Sequence, residues 1–447
     1  MVHRLGSWGP RRRGRWLILA QVYRYTGKDG PASSPDATRA SGPDNAQEAL
    51  VEPPRLAEPP GSTLTDPFVR DAPTVLSYAA LGCFTFWLYA FGPAVTLLRE
   101  ELGFSYSVLG VYQVFWAGGA ALAGATFAWA ARRFARGTLL WASALATAIG
   151  AGLFTLGSGV LATLIGAVAF GMAGTMLLTV IQAILSDRHG NRRDRALTEA
   201  NVGAGASAVF APMVLGALAA TVLGWRATFG LPAVVLVLLY LRYRRQPLPE
   251  RPQHHTEEQR GRLPLACWLF AILTAVSSAI EFSLVFFGPQ MLINLGWSAA
   301  AASTAMSSNL AGILAGRLLG AGLTRRAGRT ATLLYASLAL TFASIVVFWV
   351  TGQPVVAVVA LFLSGVGIAN LYPLALALTL EAADGQEDHA NARSQVVLGV
   401  LAAVFPFLLG SLADQYGLTA GFALEPVLIG LCVLMLWCGL RAGHRTA

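Results

Sequence analysis

The chain is 447 residues long, 55% hydrophobic and only 12% charged, with a mean hydropathy of +0.57. A water-soluble core cannot cover that much apolar surface, so the bilayer is the solvent this composition demands. Net charge is +9, and Lys28 is the only lysine; the arginines fall in short turns between apolar runs, as membrane orientation requires, which argues against a nucleic-acid partner.

Residues 1–70 are rich in Pro, Ser, Asp, Ala and Arg without sustained periodicity, and read as a disordered basic cytoplasmic tail. The run Arg11-Arg12-Arg13-Gly14-Arg15 before Trp16 imitates the start of a secretory signal, but the apolar stretch behind it is too short for a signal core. From Pro73 onward, apolar runs are predicted as membrane helices near 73–98, 106–130, 138–157, 160–185, 197–223, 227–241, 263–288, 299–323, 331–350, 354–380, 393–413 and 420–440. Six lie on each side of a polar linker, 242–262, which holds Pro247, Pro249, Pro252, Glu257 and Glu258. The expected fold is an all-α membrane protein of twelve transmembrane helices: a bundle over 71–241, a second over 263–441, and a cytoplasmic tail, 442–447.

The two halves repeat each other. Phe91-Gly92-Pro93, followed by Leu102-Gly103-Phe104-Ser105, returns as Phe287-Gly288-Pro289, followed by Leu295-Gly296-Trp297-Ser298. Arg132-Arg133-Phe134-Ala135-Arg136, leading into Thr138-Leu139-Leu140, is echoed by Arg325-Arg326-Ala327-Gly328-Arg329, leading into Thr332-Leu333-Leu334. A repeat of this length built from membrane spans predicts two six-helix bundles related by a pseudo-two-fold axis. Arginines crowd the tail, the linker, the turns at 132–136, 188–195 and 325–329, and Arg441 with Arg445, whereas the opposite turns carry little beyond Arg99 and Arg226. Both termini are therefore expected in the cytoplasm.

At these turns the chain resembles the major facilitator superfamily, whose signature after the second and eighth helices runs Gly, three residues, Asp, Arg, any residue, Gly, Arg. The stretch from Gly316-Arg317-Leu318-Leu319-Gly320 to Thr324-Arg325-Arg326-Ala327-Gly328-Arg329 follows that outline, with Arg325 at the acid and Ala321 at a glycine. In the first copy Ala128, Arg132 and Ala135 replace Gly, Asp and Gly, and Gly224-Trp225-Arg226 with Phe229 is a further family-like string. The resemblance covers about residues 73–440. It implies two bundles rocking about a central site in the cell membrane, carrying a small-molecule substrate by secondary active transport. The absent acid leaves the cytoplasmic gate to other groups, with Arg132, Arg133, Arg325 and Arg326 as candidates.

Counting back from each Phe-Gly-Pro places Glu281 opposite Thr85. A carboxylate in hydrocarbon costs about 2.5–3.5 kcal/mol on insertion scales, so it calls for a reason. Flanked by Ser277, Ser278 and Ser283, Glu281 either carries a coupling proton or a cationic substrate, or is a structural carboxylate near the outer interface. Matching Pro212 to Pro406 pairs Gly216 with Gly410, Gly205 with Gly399, and Glu199 with Arg393. The last two either attract across the closed cytoplasmic gate or merely suit the helix dipole and the inside rule. The acids Glu381, Asp384, Glu387 and Asp388 after the tenth span either dock Arg132, Arg133 and Arg136 or are solvated.

Cavity-lining candidates are Thr85, Trp87, Tyr89, Tyr112, Gln113, Trp116, Gln182, Ser277, Ser278, Ser307, Ser308, Asn309, Asn370 and Tyr372. Aromatics with sparse hydrogen-bonding groups suit a small amphipathic organic molecule, though the same residue types also form interfacial belts and join helices. Cys83, Cys267, Cys432 and Cys438 lack disulfide or metal spacing, the six histidines fall in loops or tails, and no nucleophile stands with a base. No cofactor, metal or enzymatic activity is expected; the expected partners are substrate, proton and lipid bilayer, with the protein a monomer. Ala211-Pro212-Met213-Val214-Leu215-Gly216 lacks the spacing of the antiporter motif Gly-Pro-x-x-Gly-Gly, which leaves uptake and efflux both open. The alternative function is a non-transporting receptor on the same scaffold.

Overall fold

A computed structural model describes residues 68–248, 262–323 and 329–443, in which every regular element is a helix. The first half contains α1 (Ala72–Leu102), α2 (Tyr106–Arg133), α3 (Arg136–Leu156), α4 (Val160–His189), α5 (Arg193–Ala219) and α6 (Ala227–Tyr243). The second contains α7 (Leu265–Asn294), α8 (Ala299–Leu323), α9 (Thr330–Val350), α10 (Pro354–Ile368), α11 (Leu371–Glu381), α12 (Glu387–Tyr416), α13 (Leu418–Gly421) and α14 (Leu424–Gly443). Helices satisfy their own backbone groups, which hydrocarbon cannot do for them. Ten segments are long and apolar enough to cross a bilayer, counting α10 with α11 and α13 with α14 as one each. The 17-residue α6 and the more polar α8 complete the twelve.

Local chemistry sets several ends. Asp71 caps α1, accepting from the Thr74 amide at 3.1 Å and its hydroxyl at 2.6 Å, and it also takes the Arg188 guanidinium. Partial burial pushes the Asp71 carboxyl up, but these bonds outweigh it and hold the group below the usual carboxylate range. Gly103 ends α1 at φ 65°, returning its N–H to the Arg99 carbonyl.

Two span predictions shift. The seventh helix runs on to Asn294 rather than ending near 288. The tenth is interrupted between Ile368 and Leu371, because Pro373 lacks the N–H that a continuous helix would send to Ala369, and Asn370 instead donates to the Gly316 carbonyl of α8 at 2.9 Å. Phe68 to Arg70, expected within the disordered tail, are docked: Phe68 stacks on His189 at 4.7 Å, and Arg70 forms a two-pronged pair with Glu199 at 2.8 and 2.9 Å. The rest of the tail, most of the linker, and Arg325 with Arg326 lie outside the described residues.

The pseudo-two-fold relation is visible in the pairings. Contacts of α1 with α5, α2 with α4 and α3 with α4 return as α7 with α12, α8 with α10 and α9 with α10. The halves meet through α2 against α12, α5 against α8, and α1 against α7. We call the side bearing Asp71, the α2–α3 turn and Tyr243 the tail face, and the opposite side the far face.

The inter-half seam closes at the far face. Asp414 accepts the backbone N–H groups of Tyr106 and Ser107, each at 2.8 Å. A Cβ at Gly110 would lie 2.6 Å from the Phe407 Cα, and one at Gly410 would strike the backbone of Tyr106 and Ser107. Gly216, its repeat mate, meets Ala300 and Thr304 of α8 in the same way. Toward the tail face Asn201, Val202 and Gly203 of α5, with Arg393, Gln395 and Val396 of α12, are exposed. The halves part there.

Candidate functional site

Where α1 and α7 cross, Tyr89 donates a hydrogen bond to Glu281 Oε1 at 2.9 Å, joining the two halves. At 1.5 Å per residue, Glu281 stands about 24 Å from the start of α7 and about 20 Å from its end. Glu281 thus lies near the middle of the longer helix rather than toward its far-face end. Tyr89 packs against Ala208 of α5, Leu310 and Ile313 of α8, and Ala369. Arg317 of α8 is exposed, lies within electrostatic reach of Tyr89, and has no ion-pair partner among the described residues.

Acid and phenol thus meet from the two halves, with the Arg317 guanidinium within electrostatic reach of the phenol. The Tyr89 hydroxyl ties the Glu281 carboxyl of the second half to the first half. A hydrogen bond to a carboxylate is roughly twice as strong as a neutral one, so protonating Glu281 weakens the link between the halves.

The other expected cavity residues divide. Thr85 lies one turn from Tyr89 on α1 and is buried; Gln182 is exposed on α4. Tyr372 accepts from Gln395 of α12 at 3.1 Å, and Asn370 holds the α10–α11 break against α8. Several belong to bundle interiors instead. Tyr112 is fully buried, its hydroxyl 2.5 Å from Thr163, and Trp87 donates to the Phe229 carbonyl at 2.9 Å. Asn309 donates to Leu361 and Ser364, and Ser308 to Ala305 and Val358, which fastens α8 to α10. Ser277 and Ser278 return to their own helix at Leu273 and Thr274. Gln113 and Ser307 are buried, and Trp116 is half-buried.

The gate candidates are open or otherwise engaged. Glu199 binds Arg70 and, at 3.1 Å, Arg195, while Arg393 turns to His389 at 3.3 Å, so those two expected partners do not meet in this tail-open arrangement. Arg132 and Arg133 are exposed at the end of α2. Arg136 does not reach the acids after α11; it pairs with Asp187 of α4 at 3.0 Å, with side chains only 11% and 13% exposed. Asp187 thus gives an arginine of this turn an acid partner from within the first half. Breaking a pair this buried costs about 3–5 kcal/mol. Asp187→Arg alone should lower the melting temperature sharply, and combining it with Arg136→Asp should recover most of the loss; no recovery would show that the pair is incidental.

Sequence reasoning missed Arg317 as a site residue, and Glu425 altogether. Glu425 of α14 is fully buried, lies beside Ser283 of α7, and has both carboxyl oxygens without a hydrogen-bond partner among the described residues. A charge so placed is expensive, so the neutral isostere Glu425→Gln should fold normally, with stability held within ~1 kcal/mol or raised. A melting temperature several degrees lower would show that the carboxyl makes a bond the amide cannot. Among the described residues no group of three His, Cys, Asp or Glu could hold a metal.

Two pseudo-symmetric six-helix bundles, closed on one face around a polar centre, define a membrane transporter scaffold. The family model for the Major Facilitator Superfamily matches residues 76–387 and 270–446, and the chain belongs to that family. No curated protein matches the sequence. Among solved structures, a bacterial homolog of the human lysosomal transporter Spinster, in an inward-facing and unoccupied conformation, superposes with a TM-score of 0.66 at 13% identity, over 83% of this chain and 96% of that one. The nucleoside transporter NupG gives 0.65 at 15% identity, over 83% and 98%. A D-xylose–proton symporter gives 0.65 at 14%, over 82% and 97%.

Proposed function

We propose that this chain is a secondary active transporter that moves a small amphipathic organic molecule across the cell membrane by alternating access, coupled to protons through Glu281. The bundles are residues 71–241 and 263–441, the linker 242–262 and both termini face the cytoplasm, and the tail-open form is the inward-facing state. The Tyr89–Glu281 hydrogen bond carries this reading, because the one carboxyl of α7 takes part in a contact between the two halves. Arg317 gives the site a cation for an anionic or zwitterionic end of the substrate. The solved structures of similar fold bear the names of nucleoside, peptide and D-xylose–proton carriers, which supports a small organic substrate.

The test is reconstitution in liposomes enclosing a pH-sensitive dye, challenged with pooled small organic acids and zwitterions. Substrate-evoked proton movement in the wild type supports the reading. Labelled substrate that binds but never crosses would replace it with a receptor.

A further inference from the structure

A groove of ≈ 1150 Å³ opens between α3 and α6 at the tail face, away from the Tyr89–Glu281 centre. That volume exceeds the roughly 300–1,000 Å³ of a small-molecule pocket. Its walls are apolar: Leu145 and Ala148 of α3, Leu236 and Val237 of α6, and a Trp141–Tyr240 edge contact at 5.1 Å. Its mouth is cationic. Among the described residues Arg136 and Arg244 line it and no acid does, and Arg244 has no ion-pair partner.

Arg136 is only partly used. Asp187 engages its Nε and Nη2, while Nη1, shielded from solvent, has no hydrogen-bond partner among the described residues. The same mouth holds the start of α3, where the N-cap is Ala135 and offers no side-chain acceptor. The first-turn N–H groups of Arg136, Gly137 and Thr138 are left to an outside acceptor, at the end of a 21-residue helix whose dipole favours an anion. An apolar slot that ends in two guanidinium groups and three amides matches an acyl chain joined to a phosphate.

We propose that this groove binds an acidic phospholipid of the tail-face leaflet, its phosphate held between Arg136, Arg244 and the start of α3, and one acyl chain laid between α3 and α6. Lipid seated there spans two helices of the first half that otherwise touch little, and braces the turn in which the family signature lies. The site is independent of what the central cavity carries.

Native mass spectrometry of the full chain, titrated with phosphatidylglycerol and phosphatidylcholine of identical chains, tests this. Phosphatidylglycerol should be retained at least tenfold more tightly. Arg244→Gln should lower its affinity about fivefold, and should do so without unfolding risk, since this exposed side chain makes no ion pair among the described residues. Ala148→Trp, which fills the slot and leaves every charge in place, should reduce retention of both lipids. Equal retention of the two lipids, or affinities unmoved in both variants, overturns the site. Displacement of phosphatidylglycerol by millimolar inorganic phosphate would assign the mouth to a soluble anion and overturn the lipid assignment.

Discussion

Glu281→Gln should abolish substrate-evoked proton movement while leaving substrate exchange in place. Glutamine keeps the size of the side chain and can still accept from Tyr89, so the joint between α1 and α7 survives. It holds no exchangeable proton, so a gradient has nothing to act on at that joint. Counterflow of labelled substrate between equal pools, which needs no net proton transfer, should persist. Tyr89→Phe should act differently: it removes a hydrogen bond to a charged acceptor, worth about 1.5–3 kcal/mol, and should shift the balance between the two faces roughly 10–100-fold while leaving coupling intact. Proton movement that continues unchanged in Glu281→Gln would take the coupling role from this residue, and Glu425 would be the next carboxyl to examine.

Hydropathy made the twelve spans legible because each helix must fill the same thickness of hydrocarbon. Their ends were less so: α7 runs to Asn294 past the apolar run, and that extension decides where Glu281 falls along its helix. The repeat was also legible. Gly216 and Gly410, matched by counting from two prolines, prove to be the equivalent close approaches of α5 to α8 and α12 to α2. Which way a polar side chain points was not, since Asn309 and Tyr112 look like cavity residues in sequence and instead fasten helices within a bundle. Arg317 and Glu425 carried a readable signal, a charge inside a span. One was absorbed into the turn motif and the other had no repeat partner to mark it. The Arg136–Asp187 pair depends on α3 packing against α4, which no local pattern states.

Gly410→Val should drive the protein out of its tail-open form. An added Cβ meets backbone of Tyr106 and Ser107, and backbone cannot swing aside as a flexible side chain would. Relief requires α2 and α12 to separate at the far face, which also pulls Asp414 from the two amides it holds. Overpacking of this kind costs about 1–3 kcal/mol, enough to change the ratio of the two states by roughly 5- to 150-fold. Helix propensity is not the cause, because replacing a mid-helix glycine is neutral or favourable to the helix itself. Gly399, on the same helix with open space around its Cβ position, supplies the control. Spin labels at Arg133→Cys and Arg393→Cys, in a background with the four native cysteines replaced, report the opening at the tail face. The distance between them should shorten in Gly410→Val and stay put in Gly399→Val. Equal behaviour of the two variants would mean that the far-face seam does not set the balance, and that the halves are held apart from the tail side instead.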